Sequence, residues 1–242
     1  MSLPANYTST DIQAIFNRIA PVYDRLNNDL SLGVHWIWKQ MAVSWSGAKI
    51  GDICLDLCCG SGDITQLLAK QVGQSGRVVG ADFASSQLKI AADRVADIYP
   101  PLTNIEWVEA DALNLPFDDN YFDAATMGYG LRNVIDIPQA LLELHRVLQP
   151  GAKVAILDFH HPRNQLVRRF QQWYLDAIVV PQAAELGMRT EYAYLNPSLE
   201  RFPTGRKQEE LALAAGFSQA THYPIAGGMM GILLATKSEL QS

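Results

Sequence analysis

Eight residues, Asp56–Asp63, read DLCCGSGD and carry two aspartates, two cysteines and two glycines. Two chemistries compete for such a stretch: metal or redox work at sulfur, or ligand binding by the backbone of a glycine turn. A structural zinc site needs four ligands, usually paired as C-x2-C or joined by spaced histidines. Cys54, Cys58 and Cys59 follow a C-x3-C-C spacing with no second pair, and the five histidines, His35, His145, His160, His161 and His222, lack zinc-finger spacing. No metal is expected, and cysteines this close together cannot build a disulfide framework. They read as packing residues of a chain kept in a reducing compartment.

Gly60 and Gly62 suit the other chemistry. They follow a short apolar run, ICLDL, and precede a helix expected from about Asp63. A tight turn there lets backbone N–H groups approach a ligand at the switch point of an open α/β sheet. A dinucleotide fingerprint would need a third glycine at position 65, where Thr65 stands. Asp63 would also set a negative charge beside a pyrophosphate. A nucleoside with little negative charge fits better, with a cationic group near Asp56 or Asp63. Asp82 closes the second expected strand, twenty residues beyond Gly62. A carboxylate there can accept from both ribose hydroxyls. Asp111 follows the third strand in EADAL, where a polar side chain meets an adenine edge. Each aspartate alone reads equally well as a turn residue or a helix cap. Three at successive strand ends, beside a G-x-G turn, point to one ligand. A ribose, an adenine and a sulfonium without phosphates describe S-adenosylmethionine.

The elements that must position these residues run from Ile53 to Leu157 in alternation. Strands are expected at ICLDL, Arg77–Phe83, Ile105–Ala110, Tyr121–Met127 and Ala152–Phe159, with helices such as Ser85–Ile98 and Pro138–Leu148 between them. Strands joined by helices of this length imply right-handed βαβ units and a parallel sheet. QATHYPI and GILLATK near the end read as an added hairpin. Ahead of the alternation, Thr10–Gln13 (TDIQ) has the spacing of a capping box, and a second helix is expected over His35–Trp45. After the fifth strand, Leu166, Phe170, Trp173, Tyr174, Ala177 and Ile178 share one helical stripe, flanked by Arg163, Arg168 and Arg169. That stripe suits packing on the sheet or on a second subunit first, with an interfacial helix on anionic lipid as the alternative. The domain reading is residues 1–48 as a helical lid and acceptor cap, then a core over 49–242 with a helical insertion at about 162–209. Hydrophobic residues make up 48% of the 242, enough for a sizeable core, and the net charge of −6 argues against a nucleic-acid partner. No secretory pattern and no apolar run of about 18 residues is visible. A cytoplasmic protein is expected, with room for transient contact with a membrane surface and for a homodimer.

On these motifs the chain resembles the class I S-adenosylmethionine-dependent methyltransferases. Within them it is similar to the C-methyltransferases of ubiquinone and menaquinone biosynthesis. The resemblance runs from about Phe16 to Lys237 and rests on FNRIAPVYDRLNNDLSLGVHWIWKQ (Phe16–Gln40), LDLCCGSGDIT (Leu55–Thr65), LPFDDNYFDAATMGYGLRNV (Leu115–Val134) and ELHRVLQPG (Glu143–Gly151). Where the commoner quinone enzymes carry G-G-T-G-D and a strand-five glutamate, this chain has Cys59-Gly60-Ser61-Gly62-Asp63 and Asp158. With HYPIAGGMMGILLATK (His222–Lys237), these departures resemble the phylloquinone branch of photosynthetic lineages. The resemblance implies a Rossmann-like α/β fold, a seven-stranded mostly parallel sheet with an antiparallel last strand, helices on both faces and an N-terminal lid. It implies ring methylation of a prenylated naphthoquinol, 2-phytyl-1,4-naphthoquinol, with a menaquinol or ubiquinol precursor as the competing acceptor. A non-catalytic S-adenosylmethionine sensor is the reading from another class. The implied cofactor residues include Ser61, Asp82, Asp111 and Ala112, with Gly60 and Gly128 nearby, joined by Asp56 and Gly62 from the turn. Arg132 is the first catalytic candidate, with pairing to an acid such as Asp158 as its structural alternative, and Asn133 the second. Tyr129 suits the acceptor pocket, Tyr23 and Lys39 the closure of the lid. His160 or His161 offers a base, or a surface histidine.

Overall fold

The computed structural model describes residues 8, 10–20, 33–160, 162, 164–185 and 195–239; Tyr23, His161 and Arg163 lie outside them. Helix α1 covers residues 10–20 and α2 His35–Ser46. The alternation follows as β1 (Ile53–Leu57), α3 (Asp63–Val72), β2 (Arg77–Asp82), α4 (Ser85–Ala96), β3 (Ile105–Glu109), β4 (Phe122–Gly128), α5 (Ile137–Val147) and β5 (Leu148–Phe159). Helices α6 (Gln165–Tyr174), α7 (Val180–Glu185), α8 (Leu195–Arg201) and α9 (Gly205–Ala214) lead to the hairpin β6 (Gln219–Ile225) and β7 (Met230–Thr236).

The seven strands form one sheet in the order β3-β2-β1-β4-β5-β7-β6. The first five are parallel, and β7 runs antiparallel between β5 and β6. Strand order reverses between β1 and β4, so the carboxyl ends of those strands open a crevice. Both faces are covered, which is why the central strands read as continuous apolar runs. Leu55, Leu57, Ala125, Met127 and Ile156 pack with Leu141, Leu144 and Val147 of α5 and Ala212 of α9. On the other face, Cys54, Val78 and Ala124 meet Val43 of α2 and Ile64, Leu68 and Val72 of α3.

The N-terminal segment divides by position. Helix α2 belongs to the layer on the sheet, with Ala42 against Ala155, Leu157 and Ile232. Helix α1 lies beside the crevice, with Ile12 and Ile15 packed near Phe16 and Phe83. Its capping box stands two residues earlier than TDIQ suggests. Thr8 and Asp11 exchange the bonds: Asp11 N donates to Thr8 Oγ1 at 3.2 Å and Thr8 N to Asp11 Oδ2 at 2.9 Å. Gln13 instead donates its amide to Phe83 O, tying α1 to the end of β2.

Helix α6 turns a different face inward from the one its apolar stripe suggests. Gln171, Leu175 and Val179 are buried, while Leu166 (73% exposed), Phe170 (50%) and Trp173 (55%) point outward. The Gln171 side-chain amide anchors that face by donating to the carbonyls of His160 and Met229, each at 3.2 Å. A buried glutamine with two acceptors is satisfied, so polarity did not mark the outside.

Candidate active site

One cavity occupies the crevice at the carboxyl ends of β1, β2 and β4. Its floor is the turn after β1, which brings Asp56, Cys58, Cys59, Gly60, Ser61 and Asp63 to the wall. Gly60 holds φ +54°, and a Cβ there would meet nothing nearer than Gln87 Oε1 at 3.9 Å, so its open side faces the ligand space. Gly62 serves packing instead. It does not line the cavity; at φ +85° its Cα abuts Trp107, where a Cβ would come within 2.7 Å of the indole. Glycine is needed at both positions because their backbone is left-handed.

The aspartates separate into distinct roles. Asp63 forms ion pairs with Lys39 (2.5 Å) and Arg94 (2.8 Å), and Arg94 also donates to Ser61 O at 3.0 Å. Burial opposes its ionisation, but the two cations hold its carboxyl below the usual range. Lys39 thereby fastens α2 to the turn after β1. Asp56 is completely buried and accepts from Thr65 Oγ1 (2.6 Å) and Thr126 Oγ1 (2.9 Å), with no cation paired to it among the described residues. Burial pushes its carboxyl up to about 7 against those two bonds. Of the two acids foreseen near a cationic group, Asp63 holds its cations in direct ion pairs, whereas Asp56 feels Lys39 only at a distance.

Asp82 accepts from Gly60 N at 2.8 Å and from Ala84 N at 2.9 Å, and burial raises it to about 6. It therefore shapes the turn, with the Phe83 backbone also bonding it, and the carboxylate keeps acceptor capacity for a ligand hydroxyl. Asp111 and Ala112 line the adjoining wall, the former accepting from Leu113 N at 3.0 Å. Gly128 and Tyr129 close the side formed by β4. Burial lifts the Cys58 and Cys59 thiols well above their usual range. They are cavity-wall residues without thiolate character, which fits their reading as packing groups. Among the described residues no cluster of His, Cys, Asp or Glu could hold a metal ion.

At the acceptor end, Tyr129 has φ +58°, a strained value for a residue with a Cβ. Two side chains secure it: Arg132 Nη1 donates to Tyr129 O at 2.6 Å and Asn133 Nδ2 at 3.0 Å. Arg132 is also ion-paired with Asp158 at 2.8 Å, while its backbone N donates to Asp158 Oδ2 at 3.1 Å. Its guanidinium does not line the cavity, whereas Asn133 does. With Nδ2 committed to Tyr129 O, Asn133 Oδ1 is left as a buried acceptor with no partner among the described residues. His160 is buried beside His222, 4.5 Å between ring centroids, away from this cavity.

Sequence reasoning passed over several wall residues. Ile12 and Phe16 of α1, Phe83, and Leu113, Val134 and Ile135 supply the apolar surface. Gln87 was missed as well; no motif marked it. The residues suit S-adenosylmethionine: at the turn Lys39 and Arg94 are taken up by Asp63, while Asp56 and Asp82 bring further carboxyl groups to the cavity wall.

Comparison with known proteins agrees. A profile of the ubiE/COQ5 methyltransferase family matches residues 5–237. A Nostoc protein named 2-phytyl-1,4-naphthoquinone methyltransferase is 64% identical over 93% of this chain and 98% of its own length. The Arabidopsis thaliana chloroplastic 2-phytyl-1,4-beta-naphthoquinone methyltransferase is 54% identical over 95% of this chain and 88% of its own. Among solved structures, a SAM-dependent methyltransferase from Aquifex aeolicus superposes with a TM-score of 0.61 at 20% identity, over 82% of this chain and 88% of that one. That likeness speaks to the fold; the sequence matches settle the family. The chain belongs to the ubiE/COQ5 methyltransferase family.

Proposed function

We propose that this protein methylates a ring carbon of 2-phytyl-1,4-naphthoquinol, the last methylation in phylloquinone formation. The observation that carries the reading is one cavity lined by Asp56, Asp82 and Asp111 together with an apolar wall and Asn133, whose Oδ1 has no partner among the described residues. The near-full-length relatives name the acceptor class. S-adenosylmethionine supplies an electrophilic methyl at its sulfonium. Asp56 and Asp82 hold the cofactor's cationic and ribose groups. Asp111 and Ala112 border its base, and the Gly60–Ser61 turn takes the amino-acid portion. Residues 10–20 act as the lid, since Ile12 and Phe16 reach the same cavity. Asn133 accepts from a ring hydroxyl of the acceptor. Arg132, held by Asp158, fixes the strained turn that presents Asn133 and Tyr129.

The test is methyl transfer by the purified protein to a panel of chemically reduced prenylated naphthoquinols and benzoquinols. The demethylated phytyl naphthoquinol should give the highest kcat/KM. A preference for a benzoquinol would move the chain to ubiquinol chemistry. Cofactor binding without turnover on any acceptor would make it a sensor.

A phytyl-bearing acceptor resides in a membrane, because its chain is too apolar for water. Among the described residues no helix is long and apolar enough to cross one. The reading therefore includes docking through the outer ridge of α6 on anionic lipid. Leu166, Phe170 and Trp173 form the ridge, and exposed Arg168 and Arg169 lie on the same helix of a chain with net charge −6. An aromatic ridge with arginines beside it matches interfacial helices. Helix α6 follows β5 directly, and its Gln171 is bonded to His160 O next to Phe159, which contacts Tyr129 (6.1 Å between ring centroids), so the ridge belongs to the acceptor end. Vesicle flotation should recover the protein with phosphatidylglycerol vesicles and at least tenfold less after Leu166, Phe170 and Trp173 are changed to glutamine. Equal flotation of that variant refutes the ridge. A wild-type dimer that ignores vesicles and dissociates on the same changes assigns the ridge to a second copy instead.

A further inference from the structure

We infer that Gln87 is a cofactor-binding residue whose carboxamide completes the ribose site formed by Asp82. Gln87 stands in the first turn of α4 and is 1% exposed. It lines the cavity, yet among the described residues neither Oε1 nor Nε2 has a hydrogen-bond partner. Its backbone is ordinary, with Gln87 N donating to Ala84 O at 2.9 Å. Only the side chain is unsatisfied.

A buried amide missing both partners costs stability, and such groups call for an explanation such as a bound ligand. The neighbourhood says what that ligand offers. Gln87 Oε1 is the nearest atom to the open side of Gly60, 3.9 Å from where a Cβ would stand. Asp82 Oδ2 accepts from the backbone N of that same Gly60. The two side chains therefore converge on one turn. Asp82, when ionised, only accepts hydrogen bonds, so it takes the protons of a vicinal diol. The diol oxygens then keep lone pairs that need a donor, and Gln87 Nε2 is the buried donor at hand. Oε1 supplies a further acceptor for a hydroxyl of the same ribose. This deepens the methyltransferase reading and rests on it.

The test is calorimetric titration with S-adenosylhomocysteine, together with melting of the ligand-free and bound protein. Gln87→Met keeps side-chain length and removes the amide; Gln87→Leu is the second variant should the first fold poorly. Affinity is expected to fall at least tenfold. The melting temperature of the ligand-free protein should hold or rise, because a buried unpaired amide is gone. The ligand-induced melting shift should shrink, and the affinity gap from wild type should close for an analogue lacking both ribose hydroxyls. Unchanged affinity, a gap that persists with that analogue, or a ligand-free melting temperature that falls in step with affinity would each overturn the role. Failure of the wild type itself to bind would instead sink the methyltransferase reading.

Discussion

Replacing Asp82 with alanine is expected to weaken S-adenosylhomocysteine binding by on the order of a hundredfold or more while a cooperative melt remains. Two ribose hydroxyls lose a charged acceptor, at about 1.5–3 kcal/mol per bond. The Gly60 and Ala84 N–H groups lose theirs too, so the turn also becomes less well organised for binding. Calorimetry reads the loss directly, and an affinity within threefold of wild type would remove Asp82 from the ribose site. Titrating the wild type with S-adenosylmethionine across pH probes the same electrostatics. Burial raises Asp56 to about 7 and Asp82 to about 6. The cationic cofactor and its diol both favour the ionised carboxylates. Affinity should therefore be full above pH 7 and decline as pH falls through 7 and then 6, by up to about tenfold per unit for each proton taken up. The fold responds in the opposite sense. Both folded values lie above the ordinary 3.8, so these two groups favour the ligand-free fold most at low pH and lose that contribution as pH rises through 6 and 7. Asp56→Asn should flatten the upper part of the affinity profile.

The sheet was legible because each central strand is a short apolar run closed by a turn signal, and burial on both faces leaves no alternation to misread. Boundaries were less so. Strand β5 begins at Leu148, four residues before the expected start, because Leu148 pairs with Phe122 across an irregularity in the β4–β5 register. The N-terminal cap slipped because TSTDIQ holds two overlapping boxes with the same spacing. The Asp11 carboxylate bonds Thr8, while Gln13 has a tertiary partner in Phe83 that local spacing cannot disclose.

In the site, Asp56, Gly60, Asp82 and Asp111 were legible because topology brings strand ends to one crevice, whereas Ser61, Ala112 and Gly128 came from the family resemblance; all seven line one cavity together with Asn133. What stayed hidden was who pairs with whom. Asp63 looked like a free carboxylate until Lys39, distant in sequence, met it. For Arg132 the sequence offered two readings, a substrate contact or a pair with an acid such as Asp158; the structure shows that pair, and the Tyr129 carbonyl, which no motif disclosed, also holds the guanidinium. Gln87 and Gln171 are both buried glutamines on helices, and hydropathy alone cannot distinguish them. One has two carbonyl partners and anchors α6; the other has none and faces the cavity.

Turnover is expected only on the reduced acceptor, with the oxidised quinone slower by at least a hundredfold. Carbon–carbon bond formation requires the ring carbon to supply an electron pair. A quinone ring is electron-poor, whereas a quinol is richer and its phenolate richer still, because oxygen charge spreads to the adjacent carbon. The site adds a second discrimination. Asn133 Oδ1 is an acceptor fixed in place by the bond from Nδ2 to Tyr129 O. A quinol hydroxyl donates to it; a quinone carbonyl presents lone pairs against lone pairs and leaves it unsatisfied. Sites built to bond a hydroxyl reject analogues lacking it strongly, since their buried polar group stays unpaired. Alignment of the ring carbon contributes up to about 7–11 kcal/mol in favourable intramolecular cases. That alignment depends on the left-handed turn at Tyr129, which Arg132 clamps. Arg132→Gln should accordingly lower kcat on the quinol by at least tenfold with a smaller change in cofactor affinity, and Arg132→Lys should restore part of the rate by re-forming the pair with Asp158. Anaerobic assays with and without a chemical reductant, on wild type and both variants, decide the matter. Equal rates on oxidised and reduced acceptor would refute the electronic and hydrogen-bond arguments together. A near-normal Arg132→Gln rate would show that the turn holds without its clamp.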